Sequence, residues 1–226
     1  MDAQNCVRRF RDAGHDHVDL HSLTDDGASW VMVVRKMCPA SDDAFEAAWE
    51  TRPQDRPTGM IMGRMTPFPR RTRAFGKDYS FSGQTAQSLP VDDMPDLCKS
   101  YRTTLAAILD TAPNGSLLNW YNAIEGDYIG QHADDERSLC KDRPIFSATW
   151  CKPDAHFRRF RLVPKTVGQT LTLDVQNGDV IVMGGTCQAT HKHEVMKPRK
   201  RVRDESLGRR INQTDRYFSS ASPALG

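Results

Sequence analysis

The 226-residue sequence has no long apolar run. Its best stretches, Trp30 to Val34 and Val180 to Met183, fall far short of the ~18 apolar residues of a membrane-spanning helix. No membrane is therefore expected as a partner. The first residues, Met1-Asp2-Ala3-Gln4, are polar and are soon followed by Arg8, Arg9 and Asp12, which is unlike the apolar stretch of a signal peptide. Six cysteines (Cys6, Cys38, Cys98, Cys140, Cys151 and Cys187) are scattered without a C-x-x-C pair. That usage points to an intracellular, reducing compartment, nucleus or cytoplasm, with the thiols buried or idle. A large excess of one charge is also missing: 31 basic residues stand against 29 acidic ones, a net of +2. Taken as a sum, this gives no sign of a polyanion-binding protein. Internal repeats and low-complexity blocks are absent. What remains, 38% hydrophobic and 27% charged residues with 15 Gly and 13 Pro, excludes collagen-like, coiled-coil and wholly disordered chains. The length suits one domain, or at most two small ones.

The pattern along the chain changes near its middle. Residues 1–28 are polar and carry His15, His17 and His21. WVMVVR (30–35) reads as a strand from its β-branched and apolar content. Ser41 is an N-cap for a helix with Asp42 and Asp43 in its first turn and a Phe45, Ala48, Trp49 stripe, and Pro53 ends it. A second helix is predicted from about Pro95 to Asp110, where Leu97, Tyr101, Leu105 and Ile108 recur at helical spacing before Pro113-Asn114-Gly115. From residue 116 onward, short apolar or alternating runs follow one another: SLLNWYN, DYIGQH, IFSATWC, FRRFRLV, LTLDV, DVIVM, HKHEV and RINQTDRYF. Asn177-Gly178 marks a tight turn between two of them. Many short strands at this spacing indicate a sandwich or jelly roll. The expected fold class is α+β, with an N-terminal α+β portion and a β-rich barrel in one integrated domain.

The segment that carries chemistry is His132-Ala133-Asp134. On a strand, residues i and i+2 share a face, so one imidazole and one carboxylate can meet a single metal ion. One later histidine completes a 2-His-1-carboxylate set, which holds Fe(II) and leaves positions open for a co-substrate and oxygen. The motif alone says little. With seven His and 23 Asp in the chain, chance supplies close to one His-x-Asp, and His17-Val18-Asp19 is a second. Its company is more telling. Asn119 and Tyr121 share a strand face upstream, and His191 and His193 lie downstream. In Arg210-Ile211-Asn212-Gln213-Thr214-Asp215-Arg216, residues 210, 212, 214 and 216 share one face. Two arginines on a buried face are costly unless an anion meets them, and a dianionic small molecule between them would use both guanidinium forks.

The order N-x-Y, H-x-D, H, R-x5-R resembles the AlkB family of Fe(II)/2-oxoglutarate dioxygenases. The likeness covers about residues 60–218. NWYNAIEGDYIGQHADDERSL is similar to the eukaryotic-type DNA/RNA repair members, and PIFSATW resembles the family's following barrel strand. LDVQNGDVIVMGGTCQATHKHEV resembles the segment presenting the distal iron histidine, and PRRTRAFGKDYSFSG the nucleotide-recognition segment. The resemblance implies a double-stranded β-helix (jelly-roll) core with N-terminal helices and strands packed on one side. Residues 1–28 lie outside the likeness and are expected to be a polar, mobile segment; an AlkB-like domain is expected over 29–218 (29–115 the α/β and nucleotide-recognition part, 116–218 the β-helix core), with a tail over 219–226. His132, Asp134 and His193 would be the catalytic iron ligands. His193 is preferred to its competitor His191 because Gln188, His193 and Val195 fit the family's Q-x4-H-x-V. Asn119, Tyr121, Arg210, Asn212 and Arg216 would bind 2-oxoglutarate. Arg73, Tyr79, Phe81, Asp135 and Glu136 would form the base pocket, where aromatics stack on an extruded base. Gln213 and Asp215, where the family is usually apolar, imply an unusually exposed outer strand face.

The implied activity is oxidative demethylation of N-alkylated bases such as 1-methyladenine and 3-methylcytosine in DNA or RNA. It would use Fe(II), 2-oxoglutarate and O2, and the protein would act as a monomer. Three basic runs suit phosphate contacts. They are Arg64, Arg70, Arg71, Arg73 and Lys77; Lys197, Arg199, Lys200, Arg201 and Arg203; and Lys152, Arg158, Arg159, Arg161 and Lys165. KPRKRVR also suits a nuclear localisation signal. Alternatives are a dioxygenase acting on RNA modifications or a protein side chain, or a non-catalytic nucleic-acid-binding relative.

Overall fold

The computed structural model describes residues 1–61, 63–81, 84–152, 158–198 and 204–219, without the side chains of residues 61, 79–81 and 84. The chain opens with α1 (Ala3–Asp12), which the Asp2 side chain caps by accepting from the Asn5 amide at 2.8 Å. It continues through β1 (Val18–Ser22), β2 (Ser29–Val34), α2 (Asp42–Glu50), β3 (Thr58–Ile61), β4 (Arg64–Pro67), β5 (Arg71–Phe75), β6 (Tyr79–Phe81), β7 (Gln84–Ala86) and β8 (Ser88–Leu89). Next come α3 (Asp96–Leu109), β9 (Gly115–Asn122), β10 (Ile129–His132), β11 (Ile145–Trp150), β12 (Arg158–Pro164), β13 (Leu171–Val175) and β14 (Val180–Gly185). The chain then passes through the single-turn α4 (Cys187–Thr190), β15 (His191–Val195) and β16 (Arg209–Arg216).

Two sheets make the jelly roll. The larger runs β1-β2-β14-β11-β16-β9-β5-β8 and the smaller β10-β15-β12-β13, while β3-β4 and β6-β7 form two-stranded ribbons. An apolar cluster lies between the two sheets, joining Val31, Leu117, Ile145 and Ile181 of the larger to Phe160, Leu162, Leu173 and Val195 of the smaller. A second cluster covers the other face of the large sheet, where Trp120, Phe146, Trp150 and Val182 meet Phe10, Phe45, Trp49, Tyr101 and Leu105 of the three long helices. Covered on both faces, β2, β9 and β11 are buried along their whole length. This is why their sequences read as continuous runs rather than a clean polar alternation.

The helices stand where their sequence signals put them. Ser41 accepts from the Ala44 amide, and Asp42 and Asp43 fill the first turn of α2, where negative charge suits the helix N-terminus. Helix α3 buries Cys98, Tyr101, Leu105, Ile108 and Leu109, whereas Leu97 is only partly buried. The Asn177-Gly178 turn is present, with Gly178 at φ 83°. A Cβ there would come within 2.5 Å of the Pro39 backbone nitrogen, so both conformation and space favour glycine. The turn does not close a hairpin. It carries the chain from β13 in the small sheet to β14 in the large one.

Two expectations are corrected. Residues 1–28 are not a segment apart: α1 buries Cys6, Val7 and Phe10, and β1 pairs with β2 from Val18↔Val34 to Ser22↔Trp30. Their polar look reflects one-sided burial, since α1 turns only a narrow stripe inward. The outer face of β16 is not exposed either. Gln213 and Asp215 are fully buried beneath the helices, and Asp215 accepts from the Ser116 hydroxyl and from Gln213 Nε2 at 3.0 and 3.1 Å. Burial pushes the Asp215 carboxyl up to about 6 against the pull of these donors.

Candidate metal centre and cavity

A cavity of about 1190 Å³ opens between the two sheets. Strand pairing builds its wall. Residues Asn119 and Tyr121 of β9 and Asn212, Thr214 and Arg216 of β16 line it, with Asn119 opposite Asn212 and Tyr121 opposite Arg210. From the small sheet come His132 of β10, Phe160 of β12, and His193 and Val195 of β15.

His132, Asp134 and His193 each offer a ligand atom, and the three atoms lie within 4.8 Å of one another. They meet by a route other than simple strand alternation. Strand β10 ends at His132, its register with β15 shifts before that residue, and His132 lies opposite His193. Asp134 follows in the loop, where its amide donates to Gln188 Oε1 of α4 at 2.8 Å. The imidazole rings of His132 and His193 are 4.2 Å apart, and Phe160 stacks on His193 at 5.4 Å. His132 Nδ1 is 2.9 Å from the Gly130 carbonyl, which orients its Nε2 toward Asp134 Oδ1 at 3.8 Å. That Oδ1 is buried and without a hydrogen-bond partner.

The charges suit a cation here. Burial, together with the neighbouring His132, pushes His193 down to about 3, and burial also lowers His132. Both imidazoles are thus neutral, with lone pairs available at neutral pH. Burial opposes ionisation of Asp134, but Arg216, helped by the two histidines, holds its carboxyl well below the usual range. Two neutral imidazoles, one carboxylate with a free oxygen and an open cavity on one side are a donor set suited to Fe(II). His191, the competitor, is outside the cluster. It is buried, and its Nδ1 pairs with Thr190 Oγ1 at 2.9 Å. Nor do His15, His17 and His21 form a metal-ligating group among the described residues.

Arg210 and Arg216 have different surroundings. Arg216 grips Asp134 Oδ2 through Nη2 at 2.7 Å and Nε at 3.1 Å, so one of the two guanidinium groups is already engaged by a metal-site carboxylate. Arg210 donates from Nη2 to Thr149 Oγ1 at 2.8 Å and lies over the Tyr121 ring, yet its buried Nε and Nη1 have no partner. Asn119 accepts from Arg70 Nε at 3.1 Å, and Asn212 donates to Ser147 Oγ and the Ala148 carbonyl. The five residues expected at the co-substrate site thus cluster on the inner faces of β9 and β16, while Arg210 itself does not line the cavity.

For the base pocket, Asp135 and Glu136 do line the cavity. Arg73 does not: it reaches toward the Thr51 carbonyl at 3.4 Å. The side chains of Tyr79 and Phe81 lie outside the described residues. The basic runs divide. Arg64 and Lys77 are exposed, but Arg71 pairs with Glu125 at 3.0 Å, Lys152 with Glu46 at 2.9 Å and Arg159 with Asp174 at 3.3 Å. Arg161 pairs with Glu194. Lys197 sits over the Tyr128 ring at 4.4 Å, and Arg199, Lys200, Arg201 and Arg203 lie outside the described residues. Two members are buried instead of presented to solvent. Arg70 lines the cavity, and Arg158 is on the inner face of β12. The alternation of Arg158, Phe160 and Leu162 carries the signal that could have set Arg158 apart.

Residues 37–216 match the family model described as the 2OG-Fe(II) oxygenase superfamily. The chain is 27% identical over 168 residues to DNA oxidative demethylase ALKBH2 of Mus musculus, covering 69% of this chain and 64% of that protein. It is 29% identical over 165 residues to ALKBH2 of Homo sapiens, covering 69% and 59% respectively. The chain therefore spans less than two thirds of the length of these relatives. The solved structure of OsALKBH1 superposes with a TM-score of 0.54 at 16% identity, over 88% of this chain and 100% of that one. That likeness concerns the fold alone.

Proposed function

Since this chain belongs to the 2OG-Fe(II) oxygenase superfamily and is AlkB-like, we propose that it is an oxidative demethylase of N-alkylated bases, of the 1-methyladenine and 3-methylcytosine type, in DNA and by the same base chemistry in RNA. The observation that carries the reading is the His132, Asp134, His193 group at the wall of a cavity of about 1190 Å³ that Asp135 and Glu136 also line. In that superfamily Fe(II), 2-oxoglutarate and O2 together supply hydroxylation of a C–H bond, with release of succinate and carbon dioxide. A hydroxylated N-methyl group then leaves as formaldehyde: the C–N bond breaks, its electron pair returns to the base nitrogen, and the hydroxyl proton passes to solvent.

The chain's own residues would do the rest. His132 Nε2, Asp134 Oδ1 and His193 would hold the metal, with Arg216 on Oδ2 and Gln188 on the Asp134 amide fixing the carboxylate. Such outer contacts orient the ligands and tune their basicity. Arg210, Tyr121, Asn119 and Asn212 would receive the co-substrate's polar ends, Arg210 through the nitrogens it has free. Asp135 and Glu136 supply acceptors for a base's exocyclic amine. Phe160, stacked on His193, gives the metal site an apolar wall that limits water. Exposed Arg64 and Lys77 are available for phosphates.

The test is formaldehyde and succinate release on a panel of oligonucleotides carrying 1-methyladenine or 3-methylcytosine in single-stranded DNA, duplex DNA and RNA. Turnover on at least one is expected, with loss in His132→Ala. Equal turnover in that variant would overturn the metal assignment. Activity on none of the panel would remove the demethylase reading.

A further inference from the structure

Arg158 is 6% exposed, and its side chain points into the barrel beside Phe160. Its Nη2 donates to the carbonyls of Asp127 and Met196, but Nε and Nη1 have no partner. Arg210, at 2% exposure, is in the same condition: Nη2 is engaged by Thr149, and Nε and Nη1 are free. Tyr121 links the two. The Arg210 guanidinium lies 5.6 Å from its ring centroid, and both guanidinium groups act on its hydroxyl electrostatically. Burial first, and the nearby Arg210 charge second, push Arg158 down to about 10. Among the described residues, neither arginine has a carboxylate partner.

Two buried cations, one from each sheet, with four unsatisfied donors between them are an expensive arrangement in a protein interior. It becomes favourable if an anion reaches both. Thr149, Tyr121 and backbone carbonyls are neutral, and the Asp127 carboxylate, which acts on Arg158 from nearby, is already paired with Arg56. We infer that Arg158 is a second cationic anchor for the far carboxylate of 2-oxoglutarate, acting with Arg210 beside Tyr121. The inference rests on the co-substrate reading above. It gives this chain a site whose charge selects a dicarboxylate over a keto acid without the second carboxylate.

The experiment is calorimetric titration of the full chain loaded with Mn(II), which binds without turnover. The ligands are 2-oxoglutarate and 2-oxopentanoate, which keeps the keto acid head and lacks the second carboxylate. Arg158→Met is expected to weaken 2-oxoglutarate about 10- to 100-fold and to leave 2-oxopentanoate unchanged. Arg158→Met with Arg210→Met should show losses that do not add. If Arg158→Met binds 2-oxoglutarate like the wild type while Arg210→Met loses it, the Arg158 role is wrong and the co-substrate reading stands. Equal losses for both keto acids would mean a structural role only and would overturn the inference. No binding of 2-oxoglutarate to the Mn(II)-loaded wild type would sink the co-substrate reading itself. Should the methionine variant not fold, Arg158→Lys decides. It keeps the charge without the fork, and unchanged preference between the two keto acids would then count against the inference.

Discussion

The two faces of β16 bury charge in opposite ways. Toward the helices, Asp215 has donors on both oxygens from Ser116 and Gln213 and is pushed toward neutrality, up to about 6. Toward the barrel interior, Arg210 keeps two free nitrogens, and Asp134, gripped by Arg216, keeps one free oxygen. A buried polar group satisfied within the protein serves packing. One left unsatisfied on the inner side of the barrel carries a cost that a ligand completing it would offset. The same strand thus serves the core with residues 211, 213 and 215 and turns residues 210, 212, 214 and 216 to the barrel interior, the last three at the cavity wall.

The largest effect expected from breaking this division is at Asp134. Asp134→Ala removes a ligand and strands the buried Arg216 charge, so metal uptake should vanish and stability should fall by about 3–5 kcal/mol. Metal titration and chemical denaturation read the two losses separately. On the helix face, Trp120→Ala empties a fully buried site whose indole donates to the Ala48 carbonyl at 3.1 Å. It should cost about 3–5 kcal/mol while the folded fraction keeps its metal affinity, and a matching loss of metal affinity would erase the distinction between the faces.

Asp215 gives the contrast a pH signature. Its carboxyl titrates at about 6 folded, against 3.8 as the ordinary value. Between these the folded state holds the extra proton, so this group's stabilisation is full below 3.8 and is lost as pH rises through about 6. The shift is worth on the order of 3 kcal/mol. Denaturation of Asp215→Asn should lack that decline, and a parallel pH profile in the two proteins would refute the burial account. Smallest in stability is Gln188→Ala, which frees the Asp134 amide. Metal affinity should fall about 10- to 100-fold with little change in the denaturation midpoint.

The elements most legible in the sequence were those whose signal is local. Ser41 with Asp42 and Asp43 marks the start of α2, the apolar spacing of Tyr101, Leu105 and Ile108 marks α3, and Asn177-Gly178 marks its turn. His132, Asp134 and His193 could be named from spacing and family likeness, yet their meeting depends on a shifted register and a loop held by Gln188. The fates of Asp215, Arg158 and the first 28 residues were not legible. A charged or polar residue looks the same in sequence whether it meets water or a partner that the fold brings against it.

By itself the sequence determined the α+β class, the run of short strands, the family and the candidate metal ligands, because periodicity, caps and ordered motifs are properties of neighbouring residues. Only the tertiary structure decided that His191 stands outside the metal group and that Arg216 holds Asp134. It also decided that Arg73 turns away from the cavity while Arg158 turns into the barrel beside Tyr121 and Arg210. Those outcomes depend on which sheet, face and register each side chain occupies. That is set by pairing between strands far apart in the chain, where burial makes every unpartnered charge consequential.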